Sequence, residues 1–254
     1  MNRRDVLKGL AGTGGIVFLG SCSPSGLSLV RRVENLEYQR QLAEQRVRNI
    51  YRIYNELPKH VYVAETITDI RGAKEINFQK GVGIVIDGKY LTMTHIINSF
   101  YNEEKKRLNE SIPPGHQIIL PDMLSQEIYL YEKKLEKVVV DDGVDVAIFK
   151  LPNDLKLPDF PAKPSLNVNL GDEIFILGNP QLSGMNIRSG YVSDLDGTNK
   201  KNRDSLFGID IPVVPGDSGC PIVSVDFKLL GLGLGTISFG FGYVKRIGEF
   251  LKYL

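Results

Sequence analysis

Pro215-Gly216-Asp217-Ser218-Gly219-Cys220-Pro221 sets one serine between glycines inside a tight turn. Glycine lets a chain bend sharply and lets another backbone come close. A serine held there can project its hydroxyl while its own N–H faces a bound group. Strand-like runs flank the turn. Residues 206–211 precede it, and 222–225 and 229–236 follow, each bounded by turn formers. No helix follows the glycines, so this is not a phosphate-cradling loop.

Further upstream the same texture continues. Residues 173–177 and 187–192 read as strands, and before them 61–66, 83–86, 90–93, 117–120, 128–131 and 144–150. Between the two sets lie Pro152, Pro158, Pro161 and Pro164, a density that resists helix and sheet interior alike. The spacing therefore predicts an all-β domain over 59–254. Its halves run from about 61 to 151 and from about 165 to 245, joined by a Pro-rich linker at 152–164. A short helix is expected at 244–253. Residues 101–110 are polar and helix-prone and read as a surface insertion.

Two more motifs carry chemistry. Leu91-Thr92-Met93-Thr94-His95-Ile96-Ile97 puts a histidine at the end of a strand, and Val144-Asp145-Val146-Ala147-Ile148-Phe149-Lys150 opens an apolar strand with an aspartate. His60, at the end of a helical stretch, and His116, after Pro113-Pro114-Gly115, read as surface residues. Asp141 and Asp142 sit in a turn and read as solvated.

In the order His, Asp, Ser, these motifs resemble the chymotrypsin-like (trypsin-fold) serine proteases, whose patterns are T-A-x-H, D-[VIL]-A-L and G-D-S-G-G-P. Two further stretches are similar to HtrA-type bacterial proteases. These are Gly81-Val82-Gly83-Ile84-Val85-Ile86 leading to Tyr90-Leu91-Thr92, and Gly178-Asn179-Pro180 leading to Ser189-Gly190-Tyr191-Val192-Ser193. The resemblance spans about 61–250. It implies two six-stranded antiparallel β-barrels and a serine endopeptidase that needs no metal or cofactor. Ser218 would be the nucleophile, His95 the general base and Asp145 the group that orients it. The N–H groups of Gly216 and Ser218 would form the oxyanion hole. Protein or peptide substrates are implied as partners.

The departures are informative. Cys220 stands where the family has a second glycine, so its side chain must find room behind the turn. Asp217 matches the digestive enzymes, in which a new amino terminus captures that aspartate, yet no activation site precedes the first barrel. Asp217 therefore needs another partner. Pro212 occupies the position that bears an acid in trypsin-like enzymes. With Ile237 and Phe241 it predicts a specificity pocket that prefers an apolar residue.

The N-terminus reads as an address. Arg3-Arg4 precedes a mildly apolar, glycine-diluted stretch that ends Leu19-Gly20-Ser21-Cys22. This is similar to a twin-arginine export signal, residues 1–21, closed by a lipobox. Acylated Cys22 would tether the mature chain to the bacterial envelope membrane. The alternatives are an ordinary cleaved signal and an uncleaved anchor running to Val30. A tether and amphipathic helix fill 22–58. Leu29, Val33, Leu36, Ala43, Val47, Ile50, Tyr54 and Leu57 alternate spacings of four and three, with Arg40 breaking the register. Two readings stay open: a helix lying on its own domain, or a homo-oligomer formed through 29–57.

Composition limits the rest. The chain has 254 residues, 42% hydrophobic and 24% charged, which excludes wholesale disorder. A net charge of +1 speaks against a nucleic-acid binder held by counterion release. Two cysteines and three histidines speak against a disulfide framework or a Cys/His metal centre. The functions in play are an exported, membrane-tethered serine endopeptidase and a catalytically silent protease-fold lipoprotein that binds peptides or an envelope partner.

Overall fold

The structure, a computed structural model, describes residues 24–70, 73–96, 123–141, 143–195, 205–238 and 240–254. The signal, Cys22, the 101–110 segment, His116, Asp142 and the strand expected at 117–120 lie outside the described residues. The chain divides into two compact units, Met1–Gln45 and Arg46–Leu254. Helix α1, Pro24–Asn55, begins in the first and ends in the second. Residues 31–48 are exposed.

In the second unit, α1 turns its final face inward. Asn49, Ile53 and Leu57 are buried, Arg52 lies over the Phe227 ring at 3.7 Å, and Tyr54 meets Phe175 edge-on at 6.1 Å. Burying side chains such as Ile53 and Leu57 is worth about 1.5–3 kcal/mol each. Within the second unit, this last stretch of α1 packs on the barrels.

The first sheet contains β1 (Val61–Ile70), β2 (Ala73–Ile86), β3 (Lys89–Thr92), β4 (Met123–Leu130), β5 (Lys133–Lys134), β6 (Glu136–Asp141) and β7 (Val146–Lys150). Their order is β5-β4-β1-β2-β3-β7-β6, antiparallel throughout. The two ends of this sheet are neighbours in the chain, because only Leu135 separates β5 from β6. Leu135 is buried, and its N–H donates to the Ile128 carbonyl at 2.9 Å. β5 and β6 therefore act as one bent strand that pairs with β4 at one end and β7 at the other, closing a six-stranded barrel. The β2–β3 hairpin turns at Asp87 and Gly88, with φ of 50° and 68°, as a two-residue type I′ turn requires.

The second sheet contains β8 (Lys163–Pro164), β9 (Glu173–Gly178), β10 (Asn186–Asp194), β11 (Leu206–Ile209), β12 (Pro221–Ser224), β13 (Lys228–Ser238) and β14 (Phe241–Arg246). The order is β12-β9-β10-β11-β14-β13-β8, and β12 also pairs with β13, which closes six strands. β8 adds to the β13 edge in parallel. The all-β, two-barrel expectation holds.

One element differs from the sequence reading. The terminal helix does not begin at 244. Val244 to Arg246 complete β14, which pairs with both β11 and β13, and helix α2 spans only Ile247–Leu251. Gly240, at φ +92°, makes the turn that feeds β14, and pairing on both edges overrides the helical spacing of Val244, Ile247 and Phe250. The Pro-rich linker packs against the first barrel. Phe160 and Ala162 are buried, and the Phe160 N–H donates to the Val85 carbonyl at 2.7 Å. One cluster of buried residues joins Val82, Ile84 and Leu91 of the first barrel to Phe207, Val213, Ile222 and Leu232 of the second half. The barrels thus share a core.

Candidate active site

Three chain segments converge over that core. His95 stands three residues beyond β3, Asp145 directly before β7, and Ser218 in the turn that leads into β12. β3 and β7 are paired neighbours, with Thr92 opposite Ala147, so their ends bring His95 and Asp145 together. Asp145 holds a left-handed backbone at φ +57°, a conformation that aspartate tolerates better than most residues. Its Oδ1 accepts the His95 backbone N–H at 2.9 Å, and Oδ2 lies 2.8 Å from His95 Nδ1. Nε2 of the same ring lies 2.8 Å from Ser218 Oγ. Burial pushes the Asp145 carboxyl upward. The His95 ring, the His95 backbone N–H and the Lys245 charge outweigh it and hold the carboxyl below the usual carboxylate range. Lys245 is itself buried in β14, and desolvation pulls its ammonium downward.

Both barrels grip the serine turn. The Val82 N–H from β2 donates to the Ser218 carbonyl at 3.0 Å. Gly219 N–H donates to Gly233 in β13, and Gly233 N–H returns a bond to Cys220, each at 2.8 Å. Gly219 has φ +82°, and a Cβ there would stand 2.0 Å from the Val82 carbonyl oxygen. No other residue fits this crossing of turn and strand.

The approach to the serine is a defined turn. Asp217 N–H donates to the Val214 carbonyl at 2.9 Å, Pro215 occupies the second position and Gly216, at φ +95°, the third. This is a type II turn with its preferred residues. Among the described residues, the N–H groups of Gly216 and Ser218 donate to no backbone carbonyl.

The partner that Asp217 needs is Arg188 in β10. Arg188 Nη2 lies 2.6 Å from Asp217 Oδ2, and Nη1 donates to the Pro212 carbonyl at 2.9 Å. The Val214 N–H also reaches Oδ2, at 3.0 Å. Asp217 is fully buried. Gly178 makes room for it, since a Cβ at 178 would fall 2.1 Å from Asp217 Oδ1. Cys220 is accommodated in the same way by Gly233, whose absent Cβ would sit 2.6 Å from its sulfur. Burial raises the Cys220 thiol far above its ordinary range.

Two of the three residues expected to shape specificity lie among the described side chains. Pro212 is half-buried and bound to Arg188 through its carbonyl. Phe241 is half exposed, and its neighbour Gly242 packs against the Ile211 carbonyl and Val213. The Ile237 side chain lies outside the described residues. His60 sits in the 3₁₀ turn Leu57–His60, so the histidine brought to Ser218 is His95.

Comparison with known proteins agrees with this architecture. A family model described as "Trypsin-like peptidase domain" matches residues 81–232, more than half of the chain. The periplasmic pH-dependent serine endoprotease DegQ of Escherichia coli is 25% identical over 169 residues, covering 65% of this chain and 33% of its own. The serine endoprotease DegS of Salmonella typhimurium is 27% identical over 163 residues, covering 63% of this chain and 40% of its own. The chain thus spans well under half the length of these relatives. Among solved structures, the active form of the Rv3671c protease from M. tuberculosis superposes with a TM-score of 0.51 at 19% identity. That match covers 80% of this chain and 82% of that one. A serine endoprotease from Yersinia pestis gives 0.53 at 19%, covering 82% and 64%. At this identity the structural likeness is one of fold.

Proposed function

The chain belongs to the trypsin-like peptidase domain family, and on that premise we propose that it is a serine endopeptidase with Ser218, His95 and Asp145 as its catalytic set. The observation that carries the reading is the unbroken Oδ2–Nδ1 and Nε2–Oγ relay, 2.8 Å at each step. With its proton on Nδ1, His95 donates to Asp145 and leaves Nε2 free to accept the Ser218 hydroxyl proton. Ser218 Oγ then attacks the scissile carbonyl carbon. His95 passes the proton to the leaving amine, and an acyl-enzyme forms. Water, deprotonated by the same histidine, releases the acid.

The negative oxygen formed at each tetrahedral stage would be met by the N–H groups of Gly216 and Ser218. Each such donor is worth about 3 kcal/mol of transition-state stabilisation. The type II turn and the Arg188–Asp217 pair support a turn held in one conformation. This favours turnover over peptide binding alone.

Labelling of purified protein with a fluorophosphonate tests the reading. Wild type should label and Ser218→Ala should not. Absence of labelling in the wild type favours the silent, peptide-binding protein instead. Pro212 and Phe241 support an apolar preference before the scissile bond, and a peptide-library profile dominated by Lys or Arg would overturn it.

The reading extends to location. The twin-arginine stretch and the Leu19-Gly20-Ser21-Cys22 sequence support an exported protein held at the envelope by acylated Cys22. The name of the E. coli relative, a periplasmic endoprotease, favours export. Metabolic labelling with an acyl-chain analogue is expected to mark wild type and spare Cys22→Ser. Equal labelling of both would refute the lipid anchor.

A further inference from the structure

We propose that α1 pairs with α1 of a second copy of this chain, forming a parallel two-stranded coiled coil from Val33 to Val47. Val33, Leu36, Arg40, Ala43 and Val47 recur at spacings of three and four, which places them on one seam of the helix. Val33, Leu36 and Val47 are 42%, 70% and 66% exposed, an apolar face on an otherwise polar helix. A lone helix with so little packing gains little from propensity alone. Beyond the seam the helix changes partner. From Asn49 onward its buried face lies against its own barrel, and Arg46 is already paired with Glu173. The coil therefore ends near Val47.

Charge decides the direction. Arg32 and Gln39 flank the seam on one side, Glu37 and Glu44 on the other. In a parallel, in-register pair, a residue on the first flank meets the residue five positions later on the second flank of the partner helix. Arg32 then meets Glu37, and Gln39 meets Glu44, across both edges of the dimer. An antiparallel pair sets each flank against itself and brings glutamate to glutamate.

The seam also decides the number of strands. Valine at Val33 and Val47 alternating with Leu36 is the pattern that favours two helices. Arg40 occupies a seam position, and its guanidinium is drawn aside to Glu44, Nε to Oε1 2.9 Å. Only its methylenes then face the partner. A third strand would crowd three such side chains into one layer.

The test uses the full chain with Cys22→Ser, which leaves only the buried Cys220 as a native thiol. Under mild oxidation Leu36→Cys should form disulfide-linked dimers, whereas Gln41→Cys, on the outer face, should not. A mixture of Arg32→Cys and Glu37→Cys chains should cross-link to each other. Sedimentation of the unmodified chain should give a dimer. Glu37→Arg should raise its dissociation constant about tenfold, and adding Arg32→Glu should restore it. A monomer at all concentrations, a trimer, equal cross-linking of Leu36→Cys and Gln41→Cys, or no rescue by the double swap would each overturn the proposal.

Discussion

Arg188 Nη2 lies 2.6 Å from Asp217 Oδ2, and the Asp217 side chain is wholly buried beside Ser218. An internal guanidinium thus meets a carboxylate next to the candidate nucleophile. Removing one partner of a buried pair leaves an uncompensated charge and typically costs about 3–5 kcal/mol. Arg188→Met should lower the urea midpoint accordingly and depress kcat/KM. Adding Asp217→Asn should recover part of the stability. Arg188→Lys should not fully substitute, because Arg188 also holds the Pro212 carbonyl through its second nitrogen. Unchanged stability in Arg188→Met would remove the pair from any account of how this turn is held.

Gly178 is predicted to be as sensitive as the ion pair it abuts. Its missing Cβ leaves the space that Asp217 Oδ1 occupies, and 3.3 Å away lies Arg188 Nη2. Gly178→Ala must push the carboxylate, the strand or both. Overpacking of this kind costs about 1–3 kcal/mol. The loss of kcat/KM should exceed what thermal destabilisation accounts for, because the displaced group sits beside the nucleophile. A variant with full activity would show that the turn tolerates movement of Asp217.

Cys220 should be chemically silent in the folded protein. It is fully buried, and desolvation together with the nearby Asp217 charge disfavours its thiolate. Iodoacetamide should leave it unmodified in buffer and alkylate it in denaturant, as read by mass spectrometry. Rapid alkylation of the native protein would contradict this.

The relation between sequence and site now has a physical explanation. His95, Asp145 and Ser218 were legible because their motifs, in the order His, Asp, Ser, resemble those of the chymotrypsin-like serine proteases, and each stands at the end of a strand-like run. Arg188 was not. It lies 29 residues from Asp217 in an ordinary strand, and only the pairing of β9 with both β10 and β12 brings it under the serine turn. Besides the two-residue β5 and β8, two longer strands were also missed, for local reasons. In β6, Val138, Val139 and Val140 are hemmed by charges because the strand is largely exposed. In β14, an apolar spacing compatible with a helix is overruled by pairing on both edges. The exposure of the α1 seam had no local signal, since the heptad pattern continues into residues that the domain buries.

The last prediction concerns acid. The Asp145 carboxyl is held below its ordinary range, so near that range the folded protein binds fewer protons than the unfolded chain. Stability from this group is fully present above about pH 4, the unfolded value, and is lost as pH falls through the lower folded value. Asp145→Asn abolishes the ionisation. The difference in urea midpoint between wild type and Asp145→Asn should therefore be largest near neutrality and shrink below about pH 4. Other depressed carboxyls, such as Asp141 beneath Tyr253, are common to both proteins and cancel in the difference. Activity gives an independent check. With the His95 ring no longer held in the productive tautomer, kcat should fall by about 10⁴-fold at neutral pH. A midpoint difference that stays constant into acid would mean that the bonds from His95 do not lower the Asp145 carboxyl after all.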